Sequence, residues 1–166
     1  RYRRHCTLVR RLTIHSSRCR FAARLNSGVR PHMKELGDLV GKTVEAVEVW
    51  PGCPCVLRLQ GDYRILIDCL WRVVDSTSMR LASTDDGLCY GHEATINAIA
   101  ELSGIVKGLI IDRAVAREAT GDLVLGLGNL DFEALSTSSG YEAWQIYCGN
   151  DIRYVAVGGG GIRQWP

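Results

Sequence analysis

The chain has 166 residues, 46% of them hydrophobic and 23% charged, the balance of an ordinary globular protein with enough length to bury a core. Its formal charge of +2 conceals a segregation: residues 1–32 hold nine of the 20 basic residues, all Arg, and no acid. Residues 33–166 therefore keep 11 basic residues against all 18 acids, a net of −7, which repels a phosphate backbone and excludes nucleic acid as the partner of this part. No apolar run approaches the roughly eighteen residues of a membrane span.

The Arg-rich arm, RYRRHCTLVRRLTIHSSRCRFAARLNSGVRPH, has three readings. Its composition is that of an organellar transit peptide, it could neutralise phosphates as a nucleic-acid arm, or it is translated upstream of a natural start at Met33. The regular pattern of MKELGDLVGKTV from Met33 onward favours the third. Residues 1–32 are therefore expected to be disordered or an artefact, and residues 33–166 to form a single α+β domain.

Within that domain, KELGDLV reads as a short helix ended by Gly41, the residue best able to adopt a left-handed cap. Residues 43–49, TVEAVEV, alternate as a strand, and WPGCP turns the chain. CVLRLQ runs to the turn pair Gly61-Asp62, and YRILIDCLWRVV follows as one long strand with Ile65, Ile67 and Cys69 on one face. Residues 75–90 are polar and loop-like. A substantial helix is predicted over residues 92–103, where Ile96, Ile99 and Leu102 form a stripe and Gly104 stands ready to end it. IVKGLIID, AVAREA and LVLGLGNLDFEAL read as further strands, and YEAWQIY and DIRYVAV as a closing hairpin around CGN. The fold class is thus α+β, dominated by an antiparallel meander. A helix ended by glycine (Gly41, Gly104), a strand and a Gly-Asp turn (Gly61-Asp62, Gly121-Asp122) occur twice, which suggests an αββ internal repeat.

Gly158 to Gly161 form a run of four glycines after the last strand. A phosphate-cradling loop must lead from a strand into a helix N-terminus, and only IRQWP remains. A tight bend is expected instead, as it is at Gly126-Leu127-Gly128, which opens no helix.

Seven cysteines without framework spacing point to a reducing, cytoplasmic setting. Cys53 and Cys55, with Cys89 and His92, carry the ligand types of a zinc site, though C-x-C is not the usual knuckle and Cys69 fits a strand face. Cys89 and His92 are also spaced for a thiol–imidazole pair, but nothing marks an oxyanion hole. No cofactor is expected. Asp131 and Glu133 are two apart on a strand and so share a face, where they could hold a proton or cation or simply meet water. The tryptophans at strand ends, Trp144 and Trp165 among them, suit either a core or a partner contact.

The closing YEAWQIY…GNDIRYVAVGGGGIRQW, with the opening LVGKTVEAVEV, resembles a family of small uncharacterised bacterial domains, mostly actinobacterial. They have a Trp-centred strand and a Gly-Gly segment before a terminal Trp. The resemblance spans roughly residues 36–165 and is most specific in the last 25 or so; the family's acidic position after the Trp is Gln145 here, with Glu142 before it. It implies no established activity; domains of this kind are suspected of neutralising toxins as immunity proteins or of acting in phage–host conflict. The expected function is a non-enzymatic acidic module that binds a basic protein partner, with Trp144, Glu142, Asp131, Glu133 and Trp165 as contact candidates. The alternative is a small metal-binding or Cys/His-dependent enzyme domain.

Overall fold

A computed structural model describes residues 32–91 and 93–166; the arm before His32, and His92, lie outside the described residues. Twelve strands and one helix follow in chain order: β1 (Met33–Glu35), β2 (Val44–Trp50), β3 (Cys53–Leu59), β4 (Tyr63–Ile67), β5 (Leu70–Asp75), β6 (Met79–Ala82), α1 (Ala98–Val106), β7 (Arg113–Arg117), β8 (Asp122–Leu127), β9 (Leu130–Leu135), β10 (Trp144–Cys148), β11 (Asp151–Ala156) and β12 (Ile162–Gln164). They form two antiparallel sheets, ordered β1-β7-β8-β9-β5-β6 and β12-β11-β10-β4-β3-β2. The expected predominance of antiparallel strands with one helix holds, but the architecture is mainly β rather than α+β.

Alternation decides what is buried. Cys55, Leu57 and Leu59 on β3, Ile65 and Ile67 on β4, and Trp144 and Ile146 on β10 join Leu123, Leu125, Phe132, Trp71 and Val73 of the other sheet in one core. Their neighbours in sequence point to the other face, as period-two geometry requires, and on β3 one of them, Val56, is buried there too.

Several expected elements change. KELGDLV is not a helix: Met33–Glu35 pairs with β7, and Gly37–Leu39 is a single 3-10 turn. A segment this short cannot offset helix nucleation, while Leu36 and Leu39, three apart, are both fully buried by the tighter turn. The helix predicted over 92–103 is displaced to Ala98–Val106, because the Asn97 side chain accepts from the Ala100 amide as N-cap. Gly104 lies inside it, and the chain leaves at Lys107 and Gly108, whose φ is +84°. Residues 105–112 accordingly form no strand. The long strand over residues 63–74 divides at Asp68-Cys69, β4 staying in one sheet and β5 entering the other. The polar 75–90 segment contains β6, an edge strand.

The two sheets are related in order. The sequence β2-β3-β4-β10-β11 in one corresponds to β7-β8-β9-β5-β6 in the other. Units β2–β6 and β7–β11 are therefore topologically equivalent, and each sends its last two strands into the opposite sheet. Registers agree as well: Leu57 faces Ile65 as Leu125 faces Phe132, and Val73 faces Phe132 as Ile146 faces Ile65. Both exchanged hairpins carry an irregularity at the same step, Val73/Val74 and Ile146/Tyr147. The units meet at the antiparallel bridge Thr43–Ile110. There Gly41 N donates to Ile111 O while Gly108 N donates to Val44 O, and Val44 N donates to Leu109 O while Ile111 N donates to Lys42 O. Exchanging Gly41 for Gly108 and Val44 for Ile111 maps these bonds onto one another, so a local two-fold axis passes through the bridge. The repeat is thus a five-strand unit, not αββ. The counterpart of Gly61-Asp62 is the β8–β9 turn at Gly128-Asn129, whereas Gly121-Asp122 starts β8.

The four glycines turn the chain. Gly159, Gly160 and Gly161 all have positive φ, and a Cβ on Gly160 would lie 2.4 Å from the Ala119 carbonyl oxygen. One on Gly158 would meet the Gly140 backbone at 2.4 Å. Gly159 N donates to Ser138 O and Gly161 N to Glu118 O, so these amides serve two neighbouring loops.

Candidate functional site

Where the chain changes sheets, two linkers run side by side: Asp68-Cys69 between β4 and β5, and residues 136–143 between β9 and β10. Asp68 N donates to Ala143 O, tying them together. Between them opens a cavity of about 660 Å³, lined by Asp68, Cys69, Ser138, Tyr141, Glu142 and Gln145 among others. Among the described residues two carboxylates and no basic side chain line it. The Ser138 hydroxyl accepts from the Gly140 and Tyr141 amides and shapes the wall. Tyr141 is 81% exposed, and Gln145 Nε2 donates to Glu142 Oε2 at 2.6 Å while Gln145 Oε1 accepts from the Tyr147 hydroxyl at 2.7 Å.

The Cys69 thiol at this cleft is pushed up to about 12, first by burial and then by Asp122 and Asp68. Burial, with Cys53 and Cys69 adding, pushes Cys55 to about 12 too, and Cys53 is raised chiefly by burial. A thiol so hard to ionise is a poor nucleophile and a poor ligand. Cys53 and Cys55 are buried in β3 while Cys89 is exposed in the loop before α1, and His92 lies outside the described residues. Among the described residues no three His, Cys, Asp or Glu side chains converge as a metal set.

The contact candidates separate. Trp144 is fully buried and its Nε1 donates to Gly121 O at 2.7 Å, so it packs the core and offers no surface to a partner. Asp131 and Glu133 do share the outward face of β9, but each is paired, with Arg113 at 2.7 Å and Arg72 at 2.5 Å. An ion-paired carboxylate on a solvated face is already neutralised, which removes them as a shared-proton pair. Trp165 is 40% exposed beyond β12. Glu142 alone of the five lines the cleft. Sequence reading missed Asp68, hidden inside an apparently continuous strand, and Tyr141, taken as strand; only the charge of Asp68 between Ile67 and Cys69 hinted at a break.

Comparison with protein-family models, with curated proteins and with solved structures found no match. Among the described residues no helix is long and apolar enough to cross a membrane.

Proposed function

We propose that this chain is a non-enzymatic acidic binding module that engages a basic protein partner at the cleft between the two sheet-crossing linkers, as an immunity-type inhibitor or phage–host conflict protein would. The observation that carries this reading is the cleft's lining among the described residues: Asp68 and Glu142 without a cation, beside the exposed ring of Tyr141. Arg or Lys side chains of a partner would meet both carboxylates, and a tyrosine is a favoured anchor at such contacts. Six of the described arginines are held by carboxylates elsewhere, and none of them lines the cleft. Buried, unionised thiols suit a reducing cytoplasm.

The test uses the full chain and a hexa-arginine peptide, titrated at about 20 and about 300 mM salt. Binding should weaken with salt, and the Asp68→Asn/Glu142→Gln double variant should lose about threefold or more in affinity, in keeping with partly exposed ion pairs. Equal binding by the wild type and the double variant would assign any affinity to the general negative charge and sink the cleft.

A further inference from the structure

On the outward face of the β12-β11-β10-β4-β3-β2 sheet lies a second cavity of about 250 Å³, lined by Trp50, Arg64, Leu66, Tyr147 and Asn150. We propose that this cavity is an anion-accepting site in which Arg64, flanked by Trp50 and Tyr147, takes a small single-ring aromatic carboxylate. The proposal goes beyond the acidic cleft and does not depend on it.

Arg64 is the anomaly of the surface. Among the described residues, six of the eight arginines are ion-paired; Arg64 and Arg163 are not. In a body with seven surplus acids, an arginine left without a carboxylate calls for an explanation. Its Nη2 donates to the Gly149 carbonyl, and its guanidinium carbon lies 5.7 Å from the Trp50 ring centre and 5.9 Å from that of Tyr147. Its Nε is buried without a hydrogen-bond partner. Arg153 buries an Nε in the same way, but Asp38 answers its charge.

The local two-fold axis supplies an internal comparison. Arg64 and Leu66 on β4 correspond to Asp131 and Glu133 on β9, since Ile65 and Phe132 are equivalent. The β9 face is a ladder of neutralised pairs, Asp131 with Arg113 and Glu133 with Arg72. That is how this sheet architecture presents a face to water alone. On β4 the same positions carry an unneutralised cation, an aliphatic side chain and two flanking rings. Both faces suit a sheet; only one of them is dressed for a ligand.

The chemistry of the lining selects the ligand. A guanidinium fork matches a carboxylate in shape and charge. A single cation within a negatively charged body favours a monoanion over a phosphate dianion. Trp50, Tyr147 and Leu66 offer apolar surface for one ring, Asn150 adds a neutral polar contact, and the volume suits a single-ring ligand.

The experiment follows the indole N–H resonance of Trp50 in the full chain, assigned with Trp50→Phe, during titration with benzoate, with its neutral isostere benzamide and with inorganic phosphate. Benzoate should shift it saturably with a dissociation constant on the order of 1 mM. Benzamide should bind about tenfold more weakly or not at all, and phosphate should give no saturable shift. Arg64→Gln should abolish the benzoate response, and Arg64→Lys, which keeps the charge but loses the fork, should weaken it about threefold or more. Benzoate and benzamide behaving alike, a strictly linear benzoate response, phosphate binding as tightly as benzoate, or an unaltered Arg64→Gln titration would each overturn the proposal. The benzoate–benzamide comparison needs no Arg64 variant, so it decides the matter even if Arg64→Gln fails to fold.

Discussion

Trp144 and Tyr141, three residues apart, meet opposite surroundings: one is fully buried with its indole N–H bonded to Gly121, the other is 81% exposed. Trp144→Ala should therefore cost about 3–5 kcal/mol in urea unfolding, whereas Tyr141→Ala should change stability by less than about 0.5 kcal/mol and act on binding instead. Glycines divide in the same way. Gly160 and Gly87 both have positive φ, but only at Gly160 would a methyl group collide with backbone, the Ala119 carbonyl at 2.4 Å. Gly87→Ala should lose about 1 kcal/mol from backbone strain alone, and Gly160→Ala distinctly more, read as the difference in melting temperature. Cys89 is exposed while Cys53 and Cys55 are buried with raised pKa values. Iodoacetamide at about pH 8 should thus label Cys89 well before either of them, as followed by peptide mass spectrometry. Early labelling of Cys55 would refute its placement in the core.

At the scale of elements, strands with clean alternation were legible and elements set by their neighbours were not. Residues 63–67 and 144–148 alternate, and each is a strand with its apolar face inward, whereas β3 starts at Cys53 inside the expected turn and buries Val56 on its other face as well. The apparent helix over residues 34–40 fails because its first residues can pair with the β7 edge, a partner no local pattern reveals. Helix α1 shows a subtler competition. Its stripe of Ala98, Leu102 and Val106 is buried at four-residue steps, running past Gly104 to Gly108. Packing along that stripe overrides the local preference of glycine to stop a helix, which is worth only about 1 kcal/mol. Asn97→Ala should remove the N-cap and cost about 1 kcal/mol, measured by thermal unfolding; no effect would place the true start of the helix elsewhere.

For the molecule as a whole, the titrating groups set a window of stability. Backbone and hydroxyl donors of Thr77 and Ser78 hold the Asp75 carboxyl well below its usual range, and the Trp50 indole lowers Glu48. Carboxyls depressed in the folded state contribute stability that is present above their unfolded pKa, about 4, and is lost as pH falls through the folded value. At the other end Cys55 and Cys69 are raised to about 12. Their contribution is complete below the unfolded thiol pKa of about 8.5 and disappears as pH rises toward 12. The melting temperature should hold roughly level between about pH 5 and 8 and fall on both sides. Asp75→Asn should flatten the acid limb, and Cys69→Ser the alkaline one, in calorimetry across a pH series. An acid limb unchanged by Asp75→Asn would show that other carboxyls govern it.

By itself the sequence determined the charge division between arm and body, the predominance of antiparallel strands, the turning role of Gly158 to Gly161 and the sharing of a face by Asp131 and Glu133. All of these follow from composition or from the two-residue period, which is a local property of the chain. Tertiary structure decided the rest. The charge of Asp68 hints at a break, but neither it nor residues 136–143 announce a change of sheet, because the strands that receive β5 and β10 come from the other half of the chain. The five-strand equivalence, the cleft at the crossings and the contrast between the Arg64 face and the Asp131 face all arise from that exchange. They depend on which strands lie side by side, a matter settled by long-range pairing and burial rather than by the order of residues within any one strand.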